Sequence, residues 1–131
     1  MIVAGVGGAR GVTSEEVCAC VRGALERYGV RLCDISVMAT PAVKGGEPGV
    51  MKGALDLGLL LVMVPQRQIE TAGSRLAARC DGAVALLGMP SLAEASALAV
   101  AGRRSTLIGP RFVLGRVMCA LAREAEPGGA D

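Results

Sequence analysis

The chain opens with an aliphatic run, Met1–Val6, that leads directly into the glycine loop Gly5-Val6-Gly7-Gly8-Ala9-Arg10-Gly11 and then into Thr13-Ser14-Glu15-Glu16. Strand, glycine turn and helix start in that order commit the N-terminus to a βα unit, in which a buried strand hands over to a crossover helix. Thr13 and Glu16 stand at capping-box spacing, which sets the start of the helix. Such a junction has backbone N–H groups pointing outward, and the helix dipole adds partial positive charge. Arg10 supplies a fixed cation beside it. Read for chemistry, the loop is an anion pocket; read for structure alone, its glycines make a tight strand-to-helix turn.

The pattern repeats downstream. Val17, Val21, Ala24, Leu25 and Tyr28 recur at helical spacing, and Gly29 ends that helix. Ile35–Thr40 reads as a second strand, closed by Pro41. Lys44–Gly49 is a glycine-rich loop before a short helix with Met51, Ala54, Leu55 and Gly58 on one face. Leu59–Val64 is a third strand, an aliphatic run of the kind covered on both faces. Gln66–Arg79 carries a helical pattern that Gly73 interrupts, and Ala83–Leu87 is either a short strand or a buried connection. Pro90-Ser91-Leu92-Ala93-Glu94 opens an alanine-rich helix that runs to Ala101. Ser105–Ile108 and Val113–Ala122 read as the last strands, a hairpin turning through Gly109-Pro110. The expected fold is α/β: one domain over residues 1–123 with a mainly parallel sheet, helices on both faces and a C-terminal β-hairpin, followed by a disordered tail over residues 124–131. No internal repeat or domain boundary interrupts it.

Composition excludes several functions. Tyr28 and Phe112 are the only aromatic residues, which leaves no rings for stacking bases, and the net charge of +2 with no basic stripe does not suit a polyanionic polymer. Nucleic acid is not an expected partner. Leu57–Val64, the longest aliphatic stretch, falls short of the roughly 20 residues that a membrane helix needs, and the N-terminus lacks the basic segment of a secretory signal. Five cysteines, Cys18, Cys20, Cys33, Cys80 and Cys119, form an odd set without a C-x-x-C pair. Reduced, mostly buried thiols in a cytoplasmic protein follow from that set; Cys18 and Cys20 flank the first helical stripe and pack.

Histidine is absent. Ser-His-Asp and Cys-His sites are therefore excluded, as is the usual histidine-containing catalytic zinc site. The chain is either a binding protein or an enzyme acting on a chemically primed substrate, and no metal or cofactor is expected. A dinucleotide fingerprint fails because Arg10 takes the place of the third glycine and no acidic residue ends the second strand.

Three constellations remain. The first is the loop Gly7, Gly8, Arg10 and Gly11. The second is Lys44-Gly45-Gly46-Glu47-Pro48-Gly49, with Pro48 at the first helical position and Glu47 at the helix entrance. Both loops follow parallel strands and so lie on one rim of the sheet, where ligands of open α/β sheets bind. In the third, Ser91 and Glu94 stand at capping-box spacing, which suffices as a structural role and leaves a binding role open. Arg103, Arg104, Arg111 and Arg116 offer further cations.

Taken together, the strand with G-x-G-x-x-R-G, the K-x-x-E-P-G loop, the P-S-x-A-E-A helix and a closing hairpin resemble the CobE/CbiG C-terminal domain family of cobalamin biosynthesis, from Ile2 to about Ala122. The family's motif residues fall on Gly5, Gly7, Arg10, Gly11, Lys44, Glu47, Pro48, Ser91 and Glu94. The chain departs from the pattern at Gly8, at Arg111 in place of lysine, and at Val117-Met118 in place of a Val-Thr pair. The resemblance implies a corrinoid or precorrin intermediate as ligand, with other enzymes of the pathway as possible partners. The longer CbiG form opens the lactone of cobalt-precorrin-5A. Corrin precursors are flat and fringed with carboxylates, which suits Gly7, Gly8, Arg10, Gly11 and Lys44 for the carboxylates and the alanine-rich helix for the macrocycle. The lack of histidine points to a metal-free or already ligated ring.

Two roles follow from the resemblance. One is a carrier or chaperone that holds an intermediate between enzymes. The other is a small hydrolase with Glu47 as acid or base and Lys44 tuning it, a neighbouring lysine lowering the carboxyl pKa.

Overall fold

In the computed structural model, which describes residues 1–42, 47–79 and 92–124, ten strands and α-helices follow in chain order. They are β1 (Ile2–Gly8), α1 (Ser14–Tyr28), β2 (Ile35–Pro41), α2 (Pro48–Leu57), β3 (Leu60–Val64), α3 (Gln66–Arg79), α4 (Leu92–Ala101), β4 (Thr106–Leu107), β5 (Phe112–Leu114) and β6 (Val117–Arg123). The sheet runs β3-β2-β1-β6-β4, with β5 also on β6. β1, β2 and β3 are parallel, and β6 joins β1 antiparallel along its whole length. The fold is α/β, parallel in its first half and antiparallel in its second.

The local signals in the sequence act as expected at the helix ends. The Thr13 hydroxyl accepts from the Glu16 amide at 3.1 Å while the Glu16 carboxylate accepts from the Thr13 amide at 3.0 Å, a complete capping box. Gly29 closes α1 in the left-handed conformation at φ 66°. Pro48 opens α2, with Glu47 as its N-cap residue.

Side chains alternate across the sheet. On one face Ala4, Val6 and Met38 meet Val17, Val21 and Leu25 of α1 and Val50, Ala54 and Leu57 of α2. On the other, Val3, Ala39 and Ala122 meet Ile69 and Ala72 of α3 and Ala97, Leu98 and Ala101 of α4. Gly5 faces α4, and a Cβ there would run into the Ala93 carbonyl and lie 2.8 Å from the Ala97 Cβ. That glycine serves the close approach of α4 to β1, and the alanines of α4 are spent against the sheet.

Four expectations need correction. The buried face of α2 is Val50, Gly53, Ala54 and Leu57, while Met51 and Leu55 are exposed. The reason is Gly53, whose missing side chain admits Val17 of α1 and so turns the helix by about one residue. Among the described strands β3 is at the edge, and it is not covered on both faces: Leu60 is 75% exposed. Helix α3 runs through Gly73 without a break. The hairpin joins β5 to β6 and turns at Gly115-Arg116, whereas Gly109-Pro110 is a corner between β4 and β5. That corner docks on α1, where the Tyr28 hydroxyl donates to the Pro110 carbonyl at 2.6 Å. β4 and β5 lie end to end along the outer edge of β6. Ala83–Leu87 and the tail beyond Glu124 lie outside the described residues.

The two ends of the described chain meet. The Met1 amino group pairs with the Glu124 carboxylate at 3.1 Å, and the Glu124 amide donates to the Met1 carbonyl at 3.1 Å.

Candidate functional site

A cleft of about 600 Å³ opens over the carboxyl ends of β1, β2 and β3. That volume is in the range of roughly 300–1,000 Å³ typical of small-molecule sites. Gly7, Gly8, Arg10 and Gly11 line it from the first loop, and Thr40 and Pro41 from the end of β2. Glu47, Pro48, Val50 and Met51 line it from α2, Met63 from β3 and Leu92 from α4. The lining thus combines glycine backbone, the Arg10 guanidinium and the Glu47 carboxylate with an aliphatic and thioether surface. The floor is closed by Thr40, whose buried hydroxyl donates to the Val6 carbonyl at 2.9 Å.

The first loop and the entrance of α2 are joined directly. The Gly11 amide donates to the Glu47 carboxylate at 3.2 Å, so the carboxylate at the mouth of α2 turns back across the cleft rather than onto its own helix. Gly11 holds φ 84°, a conformation that a residue with a Cβ adopts at a cost.

A third element reaches the same loop. Arg116, on the β5–β6 turn, binds Glu16 through Nη2 at 2.6 Å and Nε at 3.1 Å, and its Nη2 also donates to the Gly11 carbonyl at 3.4 Å. Its own carbonyl accepts from the Ala9 amide at 3.0 Å. The guanidinium and the Thr13 amide together hold the Glu16 carboxyl at about 2, well below the ordinary carboxylate range.

Of the residues expected at the site, Gly7, Gly8, Arg10, Gly11 and Glu47 are brought together around the cleft. Lys44 and Ser91 lie outside the described residues. Glu94 is on the first turn of α4 and pairs with Arg111 at 3.4 Å instead of lining the cleft. The apolar wall assigned to the alanines of α4 is instead Pro41, Val50, Met51, Met63 and Leu92. The sequence signal that could have found these was position alone, since they follow from the ends of β2 and β3 and the first turn of α2.

The thiols of Cys18, Cys20 and Cys119 are packing groups. Burial pushes Cys20 up to about 11 and raises Cys119 further, and the Cys20 thiol donates to the Val117 carbonyl at 3.3 Å. Among the described cysteines Cys33 alone is exposed, and none is in a disulfide. Among the described residues, no cluster of His, Cys, Asp and Glu could hold a metal ion, and no helix is long and apolar enough to cross a membrane.

Comparison with known proteins gives one answer. A solved structure of cobalamin biosynthesis protein chiG from Agrobacterium tumefaciens superposes with a TM-score of 0.80 at 33% identity, covering 96% of this chain and 100% of that one. The crystal structure of CobE, a protein from the cobalamin (vitamin B12) biosynthetic pathway, superposes with a TM-score of 0.80 at 29% identity, covering 95% of this chain and 91% of that one. A putative cobalamin biosynthesis protein G homolog from Sulfolobus solfataricus, at 23% identity and a TM-score of 0.69, shares the fold over 95% of this chain and 37% of its own. In sequence, Protein CobE from Sinorhizobium sp is 31% identical over 124 residues, 95% of this chain and 80% of that protein. With residues 2–122 matching the family described as Cobalamin synthesis G C-terminus, the chain belongs to that family as a CobE-like member.

Proposed function

We propose that the protein binds a carboxylate-bearing corrinoid or precorrin intermediate in the cleft over β1–β3 and acts as its carrier or chaperone in the cytoplasm. Involvement in cobalamin biosynthesis comes with the family; the ligand and the manner of its handling are this reading's own. The observation that carries it is the mixed lining of the cleft: glycine backbone and Arg10 together with Pro41, Val50, Met51 and Met63. A flat ring edged with acetates and propionates needs both, a cation and amides for the carboxylates and a broad apolar surface for the macrocycle. Among the described residues lining the cleft, Thr40 is the only hydroxyl, and it is directed to Val6. No activated nucleophile stands there among them, which favours holding over turnover.

A second reading rests on Glu47, which lines the same cleft. There it would serve as acid or base in a lactone opening like that of the longer relatives. Other enzymes of the pathway would receive or supply the ring in either case.

The test is an absorbance titration with cobyrinic acid and its metal-free counterpart, followed over time. A saturable shift that Arg10→Ala weakens about tenfold, the worth of one charge-assisted contact, supports the carrier reading. Catalytic turnover of a precorrin lactone that stops in Glu47→Gln would replace it with the hydrolase. The absence of any shift would remove the ligand altogether.

A further inference from the structure

Arg10 sits between two residues that Arg116 holds. The Ala9 amide donates to the Arg116 carbonyl at 3.0 Å, and the Gly11 carbonyl accepts from the Arg116 guanidinium at 3.4 Å. One residue of a distant turn therefore grips the chain immediately before and immediately after the cation that faces the cleft. Glu47 holds the same residue by its other backbone group, accepting from the Gly11 amide at 3.2 Å.

The guanidinium is itself fixed. Its two-point contact with Glu16 uses Nε and Nη2, the planar fork that suits a carboxylate. Glu16 is in turn locked by the capping box with Thr13. A rigid helix start thus orients Arg116, and Arg116 orients the loop. With its charge committed to Glu16, Arg116 is poorly suited to meet a ligand carboxylate directly, and it does not line the cleft.

We propose that Arg116 is a positioning residue of the site: it holds the Ala9–Gly11 loop so that Arg10 is presented to the carboxylates of the ligand. The proposal rests on the cleft being the ligand site, as argued above. Its physical basis is pre-organisation, since a cation on a loop that is already ordered loses less freedom when the ligand arrives. Lysine is not an equivalent here, because an ammonium cannot span both Glu16 oxygens and the Gly11 carbonyl from one plane.

The test is a double-mutant cycle read by absorbance titration with cobyrinic acid, with melting temperatures taken on the same preparations. Arg116→Met should weaken binding about fivefold in the otherwise unchanged protein, and by less than about twofold when Arg10 is already Ala, the non-additivity of two residues acting as one. Arg116→Lys, the milder variant should Arg116→Met fail to fold, should restore less than half of the lost affinity. Equal losses in both backgrounds would overturn the proposal, because they would mean direct contact or a general loss of structure. Full rescue by lysine would overturn it too, as would a lowered melting temperature with unchanged affinity. Those results leave the cleft reading intact provided Arg10→Ala still weakens binding. If Arg10→Ala has no effect, the cleft reading fails and takes this proposal with it.

Discussion

The Gly11 amide and the Glu47 carboxylate meet at 3.2 Å across 36 residues of sequence, and that single hydrogen bond ties the loop after β1 to the first turn of α2. The loop after β1 and the entrance of α2 are therefore one mechanical unit. Removing the acceptor with Glu47→Ala should lower stability by about 0.5–1.5 kcal/mol, the net worth of such a bond, while Glu47→Gln, whose amide oxygen still accepts, should cost less. Urea denaturation of the two variants, compared at constant slope, reads the difference.

Gly5 and Gly73 make a matched pair of glycine tests with opposite signs. A methyl group at Gly5 meets the backbone and side chain of α4, so Gly5→Ala should destabilise by about 1–3 kcal/mol or prevent folding. A methyl at Gly73 meets nothing within 4 Å among the described residues, so Gly73→Ala inside helix α3 should stabilise by about 0.5–1 kcal/mol. Thermal melts of both proteins suffice.

The same residues show where the sequence is legible and where it is not. Capping signals act within four residues of chain, so Thr13, Glu16, Gly29 and Pro48 could be read directly, and the loops carrying Arg10 and Glu47 followed from them. The face of α2 could not, because it depends on Val17 of another helix filling the space left by Gly53. The hairpin was misplaced for a related reason: Gly109 and Gly115 both hold left-handed backbone, and only the packing of Tyr28 on the Gly109-Pro110 corner decides between them. Arg116 looked like one cation among four, and its partners, Ala9, Gly11 and Glu16, lie about a hundred residues away.

Acid should act through Glu16. Its carboxyl titrates near 2 in the folded chain against an ordinary value of 4.5, so the folded state favours the charged form. The resulting stability is present above about pH 4.5 and is lost as pH falls toward 2. Urea midpoints measured from about pH 5 down to about pH 2 should fall more steeply for the unmodified protein than for Glu16→Gln. Parallel curves would assign acid sensitivity to other carboxylates.

Thiol chemistry should follow burial. Cys33 is exposed, Cys18 is half-buried with its thiol directed to the Gly53 carbonyl at 3.6 Å, and Cys20 and Cys119 are buried with raised pKa values. Among the described cysteines, iodoacetamide at pH near 8 should alkylate Cys33 first, with Cys20 and Cys119 reacting only after denaturation, because the thiolate is the nucleophile. Peptide mass spectrometry over a time course gives the order. Early modification of Cys20 would mean that β6 opens readily from α1.

The Glu124 amide, bonded to the Met1 carbonyl, holds residues 1 and 124 side by side. β1 and β6 lie side by side and antiparallel, so the chain enters and leaves at one end of the sheet, while the cleft opens at the other end of β1, beyond Gly7 and Gly8. Seven residues of strand separate the two, roughly 20 Å. Residues added before Met1 would therefore join the domain at the end of the sheet opposite the cleft.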